Sequence, residues 1–268
     1  MICPKNQKEY CPKGSSFDKI ANLCQTIVQC RLTKRYKLQR IQLSSERDGD
    51  DEESIIEALV TPNYFSDPSC PTLIIMLGKG ESRAGILSTK QLVLSGAEVG
   101  SAEYFLQHAY NAGMAVLLLD PNARGPQSGM TCLEISRTNL FEEDKEATSS
   151  HRPIYILAHS AAGGYLWAKA KEGDDGAMKH EKMWLCQFLQ SSHCLYVRNT
   201  ATHHLDTFAK SKDRKLGDEI AHDVHWKRRF GTIRTVWAGT TEHSRIFWEG
   251  RHLIWDFFES RLSSKKAM

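Results

Sequence analysis

Ile154-Tyr155-Ile156-Leu157-Ala158-His159-Ser160-Ala161-Ala162-Gly163 is the stretch on which the reading of this sequence turns. Residues 154–158 are apolar at every position, which is what a strand buried on both faces of a parallel sheet requires. Within two residues of the run's end comes a serine, with Ala158 two positions before it and Ala162 two positions after. A strand that bends sharply into a helix leaves no room for large side chains at those two positions, and it pushes the intervening hydroxyl out beyond the sheet. The competing role for Ser160 is that of a helix N-cap, for which serine is equally suited.

Other runs repeat the pattern. Residues 73–77 are aliphatic before Gly78, and residues 115–119 are aliphatic before Asp120-Pro121-Asn122. Between them Ala102, Phe105, Leu106, Ala109 and Tyr110 recur at helical spacing, and Gly113 sits where a helix would end. Strand, helix, strand is the right-handed crossover unit of a doubly wound sheet. Residues 183–189 and 232–238 continue the alternation as a fourth and a fifth run, and residues 247–262 form a closing helix. The predicted class is therefore α/β, a doubly wound, mostly parallel sheet with helices on both faces. Ahead of it, Phe17, Ile20, Leu23, Cys24, Ile27 and Cys30 predict an amphipathic helix that buries this stripe. Residues 36–43 predict a strand, and the acidic stretch 44–57 predicts a solvated loop. The expected division is a segment 1–54, packed on a main domain 55–268.

Composition sets the class boundaries. Of 268 residues, 41% are hydrophobic and 25% charged, the balance of a globular chain rather than a disordered, collagenous or coiled-coil one. Thirty-five basic against 32 acidic residues leave a net charge of +3, too little to argue bulk electrostatic binding to nucleic acid. No aliphatic run approaches the ~20 residues that span a bilayer, so no membrane association is expected. The start of the chain lacks the apolar stretch of a secretory leader, which implies an intracellular protein of nucleus or cytoplasm. Eight dispersed cysteines then read as reduced thiols. Cys3, Cys11, Cys24 and Cys30 contain no C-x-x-C pair, so neither a metal nor a cofactor is expected.

The chemistry, if there is any, starts from Ser160. A strand-to-helix serine turn with small flanks is the nucleophile elbow of α/β-hydrolases, in which a histidine follows late in the chain. His243, in the loop after residues 232–238, has that place and suits a general base. The oxyanion donors would be the backbone N–H of Ala161 and an N–H of the turn Gly78-Lys79-Gly80. Asp120 to Gly125 read as a structural strand-end turn in which Asp120 and Arg124 are able to pair, with no chemistry assigned to either. The basic residues of segment 210–234, with Trp226 and Phe230 interleaved, read first as a solvated face and second as a direct RNA contact.

With Gly78-Lys79-Gly80, Arg83-Ala84-Gly85, Gly100-Ser101, Gly113, Asn122 and Ala158-His159-Ser160 in this order and spacing, the chain resembles the Argonaute-binding-protein domain family. This is an α/β-hydrolase offshoot found in fission-yeast Argonaute chaperone complexes and animal nuclear cotranscriptional regulators. The triplet Arg83-Ala84-Gly85 is the most diagnostic piece. The resemblance implies a protein partner, Argonaute or a chromatin or splicing factor. Family members carry His-Gly-x-Gly at the first turn, where Leu77 takes the histidine position here, and Asp-Ser-x-His after the strand following the elbow, where this chain has Gln190-Ser191-Ser192-His193. Gln190 supplies no charge to an imidazolium, and Asp206, Asp213, Asp218 and Asp223 are the alternative acids. The expected function is a protein-binding module with a degraded Ser160/His243 site, the alternative being an active serine esterase or thioesterase.

Overall fold

A computed structural model describes residues 14–44, 55–67, 69–78, 80–123, 153–159, 162, 195–198, 215–220 and 234–266. The chain forms two compact units, Met1–Gly163 and Gly164–Met268.

The first unit is built on a five-stranded sheet. Helix α1 (Ser15–Tyr36) precedes strands β1 (Gln39–Ser44) and β2 (Ile55–Val60), a short helix α2 (Asn63–Ser66) and strand β3 (Thr72–Met76). Helices α3 (Thr89–Ser95), α4 (Ala97–Gly100) and α5 (Glu103–Asn111) lead to strands β4 (Ala115–Asp120) and β5 (Ile154–Ala158). The strand order is β1-β2-β4-β3-β5. β4, β3 and β5 are parallel, with Leu73 level with Val116 on one side and Tyr155 on the other. β1 and β2 add an antiparallel edge. This is an α/β architecture.

The run at 73–77 forms β3, the run at 115–119 forms β4 and the run at 154–158 forms β5, as their composition predicts. β3 and β4 are buried along their whole length. β5 departs from expectation, because only Tyr155 and Leu157 are buried while Ile154, Ile156 and Ala158 are half-buried. It ends the strand order among the described residues, and the face carrying Ile154, Ile156 and Ala158 is less covered than those of the central strands.

Three N-terminal expectations need correction. Helix α1 runs on to Tyr36, so the following strand starts at Gln39. It buries Ala21, Gln25, Val28, Leu32 and Tyr36 rather than the expected stripe, and leaves Leu23, Ile27 and Cys30 exposed. The acidic stretch gives way to a strand at Ile55, which pairs with both β1 and β4. Its residues Ala58, Leu59 and Val60 lie in the core beside a glutamate that masks the apolar pattern in sequence.

Two glycines are fixed by their surroundings. A Cβ on Gly100 would stand 2.3 Å from the backbone nitrogen of Leu92. Gly85 has φ +79, and its Cβ would meet Leu32 at 3.0 Å. The segments carrying them are stitched together: Ala102 N–H donates to Gly85 O at 2.9 Å, and Leu87 N–H to Gly100 O at 2.9 Å.

In the second unit, β6 (Leu195–Arg198) and β7 (Arg234–Trp237) form a parallel two-stranded sheet. A single 3-10 turn, His243–Arg245, opens the last helix α6 (Ile246–Lys266). The fifth predicted run thus yields β7, and the fourth, 183–189, lies outside the described residues. β6 was not anticipated. Ile246, Phe247, Ile254, Trp255 and Phe258 are the buried hydrophobic residues of α6 among those described; Phe257 is half-buried.

Candidate functional site

Because β3, β4 and β5 are parallel, Met76, Asp120 and Ala158 end on the same edge of the sheet, and the loops leaving them define the candidate site. The β3–β5 ladder continues one step past Ala158, where His159 N–H donates to Met76 O at 3.0 Å. Ala162 N–H then donates back to His159 O at 3.1 Å. A carbonyl receiving the N–H three residues on marks a tight turn. Ala162 is buried, which is the steric reason for a small side chain two positions after Ser160. Ser160, Ala161, Lys79 and Gln190 themselves lie outside the described residues, as do Arg124, Asp206, Asp213 and Asp223.

The glycine turn after β3 is closed on one side chain that sequence reasoning gave no role beyond its place in a strand-end turn. Asn122, just beyond β4 and buried, donates from Nδ2 to Gly78 O at 3.2 Å and to Ser82 O at 2.8 Å. Its Oδ1 accepts the Gly80 N–H at 3.0 Å. Three bonds from one amide hold the turn to the end of β4. The Gly80 N–H, one of the candidate oxyanion donors of this turn, is thereby engaged with Asn122.

Arg83 anchors the same loop. Its Nε donates to both carboxylate oxygens of Asp120, at 3.1 and 3.0 Å. Sequence left Asp120 able to pair with Arg124, which lies outside the described residues; the partner the structure gives it is Arg83. Beside them Glu57 forms an ion pair with Arg40 and lies 3.9 Å from Arg83. Asp120 is only 4% exposed, and burial raises its pKa above the ordinary aspartate value, outweighing the attraction of Arg83 and the hydrogen bond from Ala84. Arg83 is one-third exposed, so water screens its charge while the carboxylate bears the full desolvation. The loop is held from the other side by α1: Arg83 N–H donates to Gln25 Oε1 at 2.9 Å, and Gln29 Nε2 to Ala84 O at 2.9 Å. The residues of the Arg83-Ala84-Gly85 triplet thus each have a structural task.

His243 occupies the expected place along the chain, between β7 and α6, and is exposed. Among the candidate acids, Asp218 is described: its Oδ2 accepts the Lys215 N–H at 2.7 Å, and its carbonyl accepts the Trp237 N–H at 2.8 Å. Both bonds serve a turn against β7. Of the basic segment 210–234, all but residues 215–220 and Arg234 lies outside the described residues. Among the described residues no cluster of His, Cys, Asp or Glu could hold a metal ion, and no helix is long and apolar enough to cross a membrane.

Comparison with solved structures gives similarity to an esterase of the archaeon Pyrobaculum calidifontis, at 12% identity over 59% of this chain and 48% of that one, with a TM-score of 0.36. Esterase LipW from Mycobacterium marinum matches at 12% identity, over 61% and 49% of the two chains, with a TM-score of 0.37. A thermostable esterase from Pseudomonas putida ECU1011 matches at 12%, over 62% and 50%, with a TM-score of 0.34. The chain spans about half the length of these esterases. Comparison with curated protein sequences finds no match. The model of the Arb2 domain matches residues 6–161, more than half of the chain and the whole of the stitched loop system from Gln25 to Asn122; the chain belongs to the Arb2 domain family.

Proposed function

We propose that this chain is a protein-binding module of α/β-hydrolase-like fold, in which the Ser160/His243 site is degraded. Its partner is Argonaute or a chromatin or splicing factor, and its setting is RNA silencing or chromatin regulation in nucleus or cytoplasm. The observation that carries this reading is the closed glycine turn. Acyl transfer needs preorganised N–H donors aimed at the developing oxyanion, and here the Gly80 N–H is bound to Asn122 Oδ1 at 3.0 Å. Asp120, at the neighbouring strand end, is bound to Arg83, and Gln190 stands where the resemblance places the acid. Losing the acid's charge costs a triad enzyme about four orders of magnitude in turnover in the trypsin example.

The second reading, an active serine esterase or thioesterase, draws on the exposure of His243 and on the presence of Ser160 at a strand-to-turn boundary. One experiment separates the two. Purified protein is treated with a fluorophosphonate, and in parallel is titrated with purified Argonaute. The module reading expects slow labelling that is abolished by Ser160→Ala and little changed by Gln190→Ala, with Argonaute binding the same before and after Ser160→Ala. Rapid labelling, with ester turnover lost in both Ser160→Ala and His243→Ala, overturns it in favour of the hydrolase.

A further inference from the structure

Helix α1 carries apolar residues on two sides. Ala21, Val28 and Leu32, with Gln25 and Tyr36, face the core of the first unit. At about 3.6 residues per turn, Leu23 and Ile27 lie roughly opposite that face, and they are 62% and 58% exposed. Half-buried Ile20 and exposed Cys30 extend the stripe. Lys19 and Lys34 stand at its two ends, both exposed, and among the described residues neither takes part in an ion pair. Asp18 falls on the far side of the helix, and Arg31 and Arg35 are engaged with Glu103 of α5. The stripe is thus two large aliphatic side chains, one turn apart, between two positive charges that have no ion-pair partner among the described residues.

We propose that this face of α1 docks an acidic amphipathic helix of a protein partner, with an aliphatic pair at i and i+4 set against Leu23 and Ile27 and carboxylates set against Lys19 and Lys34. Helix-on-helix recognition of this kind is read through anchors at i, i+3, i+4 and i+7. Charge and apolar content favour an acidic partner helix over a second copy and over the segments that precede α1 and follow β1. In a parallel pair of copies each lysine faces its own equivalent, and in an antiparallel pair centred between Leu23 and Ile27 Lys19 comes opposite the Glu103-bound Arg31 and Lys34 opposite Ser16, so a second copy offers neither lysine a carboxylate. The chain's own residues 1–13 have three lysines against one glutamate, the wrong sign. Residues 45–54 have the right sign but no apolar side chain, and so offer nothing to cover Leu23 and Ile27. The proposal deepens the binding-module reading and rests on it.

The probe is a fluorescent capped peptide of about 18 residues, long enough to hold helical structure, with leucines at i and i+4 and glutamates flanking them. A second version replaces the glutamates with lysines. Binding to the full chain is followed by anisotropy. The acidic peptide is expected to bind and the basic one not. The Leu23→Ser/Ile27→Ser and Lys19→Glu/Lys34→Glu variants should each weaken the acidic peptide by about tenfold or more, and the second variant should gain affinity for the basic peptide. All four substitutions are at exposed or half-buried surface positions, so unchanged far-UV circular dichroism and Tm are the control for folding. Equal binding of both peptides, no binding of either, or no effect of Leu23→Ser/Ile27→Ser overturns the proposal. So does concentration-dependent dimerisation that this variant abolishes, which would make a second copy the occupant. Argonaute binding that survives Leu23→Ser/Ile27→Ser overturns the docking surface alone and leaves the module reading standing.

Discussion

Replacing Asn122 with alanine removes one acceptor and two donors from the glycine turn at once. The three bonds are 3.0, 3.2 and 2.8 Å long. Each is worth about 1 kcal/mol net, which sets an upper bound near 3 kcal/mol. Gly80 is exposed and water takes over its N–H, whereas Gly78 and Ser82 are half-buried, so about 2 kcal/mol is the expected loss. With a urea m-value of ~2–3 kcal/mol/M, the unfolding midpoint should fall by roughly 0.7 to 1 M. Tryptophan fluorescence is the wrong probe, since all six tryptophans lie in 164–268. Far-UV circular dichroism gives the midpoint, and hydrogen–deuterium exchange resolved over residues 78–87 shows where protection is lost. Asn122→Asp sharpens the test, because it keeps an acceptor for the Gly80 N–H while setting a carboxylate against the Gly78 and Ser82 carbonyls. It should retain slow exchange at Gly80 and still be destabilised. A midpoint shift below about 0.1 M for Asn122→Ala, with unchanged exchange at residues 78–83, would refute the clamp.

Asp120 makes stability depend on pH with an unusual sign. Its folded pKa is raised above the ordinary 3.8, so the native state holds the proton more tightly than the unfolded chain, and stability is lost as pH rises from about that value through the folded pKa. Wild type should therefore lose stability relative to Asp120→Asn as pH rises above about 3.8, measured by urea denaturation at each pH; a relative gain would mean that Arg83 outweighs burial. Gly100→Ala forces a Cβ within 2.3 Å of the Leu92 nitrogen and 2.4 Å of its Cα. Backbone must move to relieve that contact, so a loss of about 3 kcal/mol or more is expected, seen as a fall in Tm of several degrees; an unchanged Tm would show that α3 and α4 shift freely.

The central strands were legible because burial on both faces writes itself into composition: residues 72–76 and 115–120 have no exposed position. β2 was not, because Glu57 sits within the strand, paired with Arg40 at the sheet's antiparallel edge, and sequence merged it with the acidic run before it. The face of α1 was misread for a different reason. Hydrophobic spacing favours the stripe with Leu23 and Ile27, yet the helix turns Gln25 inward because its amide oxygen has the Arg83 N–H to accept. A buried polar residue with a distant partner leaves no local pattern. Asn122 is hidden in the same way, as its bonds reach back 40 to 44 residues, and nothing in a strand-end turn distinguishes it from a plain turn residue. The placement of His243 before the last helix was readable from order along the chain alone.

The contacts of α1 also set a timetable for synthesis. Gln25 and Gln29 meet partners 58 and 55 residues later in the chain, and Tyr36 meets Gln107 71 residues later. At translation rates of about 5–20 residues per second, the helix emerges roughly 4 to 14 s before the last of these partners exists. During that interval its inward polar groups and its inward apolar face lack their native cover, while Leu23 and Ile27 are exposed on the other side. A nascent chain of this family thus carries an exposed, doubly apolar helix at the ribosome, a natural substrate for a chaperone, and slowing elongation between codons 36 and 107 should raise its capture there.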